Sequence, residues 1–187
     1  MEAIIICGMP ASGKSTLARL LARRLGVPEI GGGDVLKLIA KDQGYSPTGE
    51  GWWETPEGMK FLRERDKKPD FDIKADEKMK EILKAGSVVA TSYTAPWIFD
   101  GGFKVWLDAG EEVRAERMAK RDRIGLEEAK KYIKLRDTEN KRLYKKLYNI
   151  ELGADKSPFN MVIDADYIAP AEIAGMIIKK LKVIAWH

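Results

Sequence analysis

The run Gly8-Met9-Pro10-Ala11-Ser12-Gly13-Lys14-Ser15 fills every position of the pattern G-x-x-x-x-G-K-[ST], with Thr16 directly behind it. Each residue type in that run has a physical task. The glycines let the backbone curl until successive N–H groups aim inward at phosphate oxygens, and a helix opening near Gly13 adds the positive end of its dipole. Lys14 then reaches the β- and γ-phosphates, and the Ser15 hydroxyl joins a Mg²⁺ shell. Gly8 through Thr16 is therefore the expected cradle for a nucleoside triphosphate such as ATP. The bland alternative is a Gly-rich turn that happens to hold a lysine, and the full match within a strand–loop–helix context argues against it.

A second set of residues suited to chemistry lies far along the chain. Arg114, Arg117 and Arg121 recur at spacings of three and four, which puts them on one helix face, with Arg123 just beyond. The next helical stretch carries Arg136, Asn140 and Arg142. Arginines that swing over a triphosphate stabilise dispersed negative charge and exclude water. A solvated face is the competing reading, since Glu116, Asp122, Glu127, Glu128, Asp137 and Glu139 offer partners. Nucleic-acid binding is another, with Tyr132, Tyr144 and Tyr148 as stacking residues or as packing at helical spacing.

The elements that must hold these groups alternate between strand and helix. Ala3–Cys7 is a short apolar strand halted by Gly8 and Pro10, and Cys7 within it reads as a small buried apolar residue. Leu17, Leu20, Leu21 and Leu25 mark a helix closed by Gly26 and Pro28, and Asp34 reads as the N-cap of the next. Residues 44–58, with Trp52 and Trp53, read as a loop or lobe whose tryptophans either stack on a base or pack together. Helix over 72–83, strands over 88–91 and 103–107, two charged helices over 111–148 broken near Gly125, a strand over 161–164 and a helix opened by Pro170 complete the series. Asp108 and Asp164 end strands, as metal-positioning acids or as caps. The pattern predicts an α/β domain with a mostly parallel sheet.

Composition narrows the chemistry. With 187 residues the chain suits one domain, possessing a single cysteine and a single histidine, the terminal His187. Disulfides, zinc clusters and imidazole triads are excluded on those counts. The chain has no apolar run near the roughly 20 residues of a membrane span and no leader-like start, so a reduced, cytoplasmic location is expected. The net charge of +4 is unevenly spread: residues 113–146 hold 13 Lys/Arg and 6 Asp/Glu, a net +7, while the other 153 residues carry −3. One cationic lid on a mildly acidic body suits closure over clustered phosphates better than tracking a nucleic-acid backbone. A guanine-reading N-K-x-D is absent, and Asp122-Arg123-Ile124-Gly125, with D-x-x-G spacing, lies inside a charged helical region. A small kinase is the class that fits.

On these residues the sequence resembles the nucleoside monophosphate kinases, most closely the archaeal type of cytidylate kinase. The likeness covers most of the chain. Gly33-Asp34-Val35-Leu36-Lys37 is similar to the family's G-D-[IV]-[FL]-R, and Asp72 to Glu77 to its I-D-x-x-I-D-E-R. Ala115 to Arg121 and the block from Arg136 to Ile150 look like its lid. The resemblance implies a three-layer P-loop kinase fold with a five-stranded parallel sheet over 1–187, a helical acceptor lobe over about 34–85 and a helical lid over about 113–148. It implies reversible transfer from Mg·ATP to CMP or dCMP, with nucleotides as the partners and no signal for an oligomeric state. Lys14, Arg117, Arg121, Arg136 and Arg142 would act on the phosphates; Asp34, Lys37, Tyr93, Arg136 and Asn140 would face the acceptor; Ser15 would hold the metal.

Three positions depart from that pattern. Where the family reads L-E-G-R-L-A-G-W, this chain has Ala90-Thr91-Ser92-Tyr93-Thr94-Ala95-Pro96-Trp97. Tyr93 replaces the arginine that grips the acceptor phosphate, Thr91 replaces an acid, and Lys37 stands where arginine is usual. A phenol offers one neutral hydrogen bond, and an ammonium lacks the planar two-bond fork. Either another cation substitutes, or the acceptor differs from CMP.

Overall fold

All five residues of the first strand are β-branched or small and have no exposed face, and the computed structural model shows why. It describes residues 1–48, 52, 55–67 and 70–184. Strand β1 (Ile4–Gly8) is buried along its whole length between two parallel partners, β3 (Val89–Thr91) and β4 (Phe103–Asp108). β2 (Glu29–Gly31) pairs with β3 and β5 (Met161–Asp164) with β4, giving a five-stranded parallel sheet of order β2-β3-β1-β4-β5. The strand order reverses about β1. In an open parallel sheet the crevice at such a reversal, beyond the carboxyl ends of the strands, is where ligands bind. That is where Gly8 delivers the phosphate loop.

Strand alternation sorts the core into layers. Ile4 and Ile6 pack with Leu17 and Leu21 of α1 (Lys14–Leu25) and with Ile173 and Ile177 of α8 (Pro170–Ile184). Ile5 turns to the opposite face, against Val35 of α2 (Gly32–Asp42) and Met79 and Leu83 of α4 (Asp70–Ala85). Cys7 follows it there, among Met9, Trp106 and Tyr144. The short α5 (Ala95–Ile98) lies on this second face too. The result is the three-layer α/β arrangement expected.

Two helices stand away from the sheet. α6 (Glu111–Asp122) and α7 (Leu126–Tyr148) form an antiparallel pair around Ala115, Met118, Ala129 and Ile133. They correspond to the two charged helices, and the break falls at Arg123–Gly125. Arg123 closes α6 with φ 56°, a left-handed cap.

Four local readings are resolved by the structure. Asp34 is not an N-cap: α2 starts at Gly32, and the Asp34 carboxylate reaches back to accept the Gly31 N–H at 2.8 Å. Asp108 does not cap α6, whose N-cap is Gly110, with the Gly110 N–H donated to Asp166 at 2.8 Å. Of its two readings, Trp52 takes packing. It is 2% exposed in a small core with Ile39, Phe61 and Phe71, and its indole N–H donates to Glu57 at 2.8 Å. Residues 44–58 therefore contribute core as well as loop, and α3 (Pro56–Lys67) already begins within them. Trp53 and His187 lie outside the described residues.

Candidate active site

The phosphate loop has the backbone its glycines suggest. Gly8 takes φ 154° and Gly13 φ 100°, and Ala11 between them adopts the left-handed region at φ 60°. A Cβ on Gly8 would lie 2.6 Å from the Leu107 carbonyl oxygen and 2.7 Å from Ser12 Oγ, so only glycine fits there. The Ser12 N–H donates to the Met9 carbonyl at 3.2 Å, which tightens the curl. Ser12 Oγ itself is buried and has no protein partner. A curled loop with an orphaned hydroxyl at its floor is a cradle that a phosphate would complete.

Lys14 folds over this cradle. Its ammonium donates to the carbonyls of Gly8 and Met9, both at 2.8 Å, and stands 4.8 Å from the centre of the Tyr93 ring. Though the side chain is partly exposed, its amine end is enclosed, and burial lowers its pKa to about 8. The positive charges of Arg136 and Arg114 push the same way. Ser15 and Thr16 lie exposed in the first turn of α1, at the mouth of a cleft of about 560 Å³ lined also by Arg117, Arg121 and Ile168.

The arginine stripe of α6 divides by function. Arg114 is 5% exposed and makes a two-bond fork to Asp137 of α7, at 2.9 and 2.8 Å. It also donates to the carbonyls of Ala109 and Pro10, so it bolts the lid helices to the phosphate loop rather than waiting for a ligand. Arg117 donates to the carbonyls of Ser12, Ala165 and Asp166, which fixes it at the rim of the cleft. Arg121 lines the cleft but leans on Asp122, Nε to Oδ1 2.6 Å, in solvent. On α7, Arg136 lies close enough to both Lys14 and Tyr93 to shift their ionisation. Asn140 follows it by one turn on the same face. Arg142 is exposed and about 240° further round the helix, so it does not share that face.

A model of the cytidylate kinase-like family matches residues 3–167. The chain belongs to that family. It is 33% identical over 171 residues to a cytidylate kinase of Pyrobaculum islandicum, covering 90% of this chain and 86% of that protein. It is 31% identical over 175 residues to that of Pyrococcus abyssi, covering 93% and 90%. Among solved structures, an uncharacterised Eubacterium ventriosum protein superposes with a TM-score of 0.70 at 16% identity, over 97% of this chain and 99% of that one. Acinetobacter baumannii shikimate kinase superposes at 0.56 and 16% identity, over 98% and 94%. The superposition on shikimate kinase shows the P-loop kinase fold, and the family makes the chain a phosphotransferase.

Within the cytidylate kinase-like pattern, the departures at Tyr93 and Thr91 can now be placed. Tyr93 does not point a hydroxyl into open solvent. It stacks on Tyr144 of α7, centroids 5.7 Å apart and planes at 30°, with the Lys14 ammonium near its ring. Burial pushes its phenol pKa up to about 12, so it stays neutral. Thr91 ends β3 in register with Gly31, and both its hydroxyl and Asp34 Oδ2 lie 3.2 Å from where a Gly31 Cβ would be. The Asp34 carboxylate and the Thr91 hydroxyl thus converge at the carboxyl ends of adjacent strands. Lys37 is half-buried one turn beyond Asp34 on α2.

One carboxylate lies inside the Asp72–Glu77 stretch that resembles the family's motif, yet sequence reasoning gave it no role. Asp76 of α4 accepts from Thr94 Oγ1 at 2.5 Å and from the Tyr148 hydroxyl at 2.6 Å. Burial raises its pKa, and these two donors act against that rise. The partners are 18 and 72 residues away, so no local spacing marks them. Tyr144 and Tyr148 are therefore engaged inside the protein, which removes two of the three aromatics from any nucleic-acid surface. Only Tyr132 is well exposed among them, at 47%.

Proposed function

We propose that this phosphotransferase moves the γ-phosphoryl group of Mg·ATP to CMP or dCMP, giving CDP or dCDP and ADP. A single unit spans residues 1–187 in this reading, with an acceptor lobe over about 34–85 and a lid over about 113–148. The observation that carries the reading is the placement of Arg136. The family's acceptor-gripping arginine is missing at Tyr93, and Arg136 brings a guanidinium from the lid within electrostatic range of Tyr93 and Lys14.

The protein's part in the reaction is positioning and charge. An acceptor phosphate oxygen forms a bond to the γ-phosphorus as the bond to the β–γ bridging oxygen breaks, and the electron pair leaves with ADP. Lys14 turns from the Gly8 and Met9 carbonyls to the β- and γ-oxygens, while the loop N–H groups hold the triphosphate in line. Arg117 and Arg121 border the donor cleft; Arg136, Asn140, Asp34 and Lys37 face the acceptor. Ser15, whose hydroxyl is exposed, would hold the Mg²⁺, and the ion would supply positive charge to the triphosphate. Arg142, turned away on α7, has no place in this constellation.

A second reading keeps the fold and changes the acceptor to a non-nucleotide alcohol. It is favoured by one observation, the packing of neutral Tyr93 where the family grips a phosphate. Purified protein with Mg·ATP and a panel of CMP, dCMP, UMP and AMP separates the two. ADP formation with CMP or dCMP is expected, and no turnover above background with any of the four removes the first reading. Arg136→Ala should raise the acceptor KM about 10- to 100-fold, the equivalent of one charged hydrogen bond at about 1.5–3 kcal/mol, with the ATP KM nearly unchanged. Equal loss on both substrates would take Arg136 out of the acceptor site.

A further inference from the structure

α7 reaches the loop after β3 by two routes one turn apart, directly through Tyr144 and by way of Asp76 on α4 through Tyr148. Tyr144 stacks on Tyr93, and Tyr148 donates to Asp76. Asp76 in turn accepts from Thr94, and Thr94 is locked to Ser92: their hydroxyls are 3.3 Å apart, and the Thr94 and Ala95 N–H groups donate to Ser92 Oγ at 3.2 and 3.0 Å. Ser92 and Thr94 are 8% and 2% exposed. A continuous chain of hydrogen bonds therefore runs from the last residue of the lid helix, through a carboxylate of the acceptor lobe, to both neighbours of Tyr93.

The geometry points to Asp76 as a positioning residue that fixes the pivot of the lid helix and, through it, the place of Arg136. α7 is 23 residues long. Arg136 lies 12 residues before Tyr148, about 18 Å along a rigid helix at 1.5 Å per residue. A tilt of about 5° at the Tyr148 end would carry Arg136 by about 1.5 Å. A misplacement of that size at a reacting phosphate can cost on the order of a hundredfold in rate. Asp76 touches neither nucleotide in this scheme; it acts by holding Tyr148 and Thr94 in one place. Because α4 also carries the walls of the acceptor lobe, with Phe71 buried against Phe61, the same carboxylate links lobe and lid mechanically.

The activity arm of the test rests on the transferase reading; the structural arm does not. Tyr148→Phe removes one hydroxyl without disturbing packing, and Asp76→Asn keeps side-chain volume. Each is expected to lower kcat about tenfold with the ATP KM within twofold, and the double variant to be no slower than the slower single one. Amide hydrogen exchange over 126–140 should show protection by Mg·ATP in the unaltered protein and its loss in Tyr148→Phe, while 8–16 remain protected. Melting temperatures read alongside show whether the variants are folded. Unchanged kcat in both variants overturns the assignment. So does ATP-dependent lid protection that is absent from the unaltered protein or survives in Tyr148→Phe. If no monophosphate is a substrate, the transferase reading fails while the exchange experiment still decides the pivot.

Discussion

Replacing Lys14 by methionine should reduce kcat/KM by about a thousandfold and abolish a proton uptake that accompanies ATP binding. The first effect follows from losing a preorganised cation at the transferring phosphoryl group, where one electrostatic contact is worth on the order of 10²–10³ in rate. The second follows from burial. In the nucleotide-free protein the Lys14 ammonium has a pKa lowered from 10.5 to about 8. Between pH 8 and 10.5 the unfolded chain binds more protons at this residue than the folded one, so stability rises with pH across that window. Below pH 8 the cost of the buried charge is present in full. Triphosphate oxygens beside the amine favour its charged form and raise the pKa again. Near pH 8.5, therefore, ATP binding takes up most of a proton, and above that affinity falls. Calorimetric titration in two buffers of different ionisation enthalpy reads the uptake directly. A binding enthalpy independent of buffer, or equal uptake in Lys14→Met, would sink the idea.

Asp137→Asn should cost the protein about 3 kcal/mol, because it leaves the Arg114 guanidinium buried with half its fork unmatched. Arg114 and Asp137 have side-chain exposures of only 6% and 15%, so solvent does little to compensate. At this chain length the loss corresponds to a fall of about 6–12 °C in melting temperature. The paired replacement Arg114→Met with Asp137→Leu should recover most of the stability, since well-packed apolar residues often match a buried ion pair. It should not recover activity. The fork also ties α6, α7 and the Pro10 carbonyl together, and an apolar pair offers the loop no donor. Thermal melts and steady-state rates on the two variants check both halves. Equal melting temperatures for Asp137→Asn and the unaltered protein would show that the fork is not a structural bolt.

What could be read from the sequence was whatever is local. The phosphate loop occupies consecutive residues, and the β1 run and the leucines of α1 carry their own periods. The break between α6 and α7 announces itself through Gly125. β2 went unread because three residues ending in glycine, half-exposed at a sheet edge, show no alternation. α5 was missed for the same reason of length. The arginine stripe was legible as a stripe, yet its members differ: Arg114 has a buried carboxylate 23 residues on, while Arg121 leans on its exposed neighbour Asp122. Only tertiary contact separates a bolt from a free arm. Asp76 is the extreme case, since what defines it is a tyrosine on another helix.

Cys7 lies fully buried at the centre of β1, the middle strand of the sheet, and desolvation pushes its thiol pKa up to about 12. It is the sole cysteine in the chain. Fraying at an edge strand does not uncover it; Met9, Trp106 and Tyr144 of α7 cover its side chain, so a thiol reagent reaches it only when that end of the lid helix lifts or the sheet comes apart. The rate of alkylation in native buffer is thus a built-in clock for those openings. Nucleotide occupancy should slow that clock by mass action on the native state.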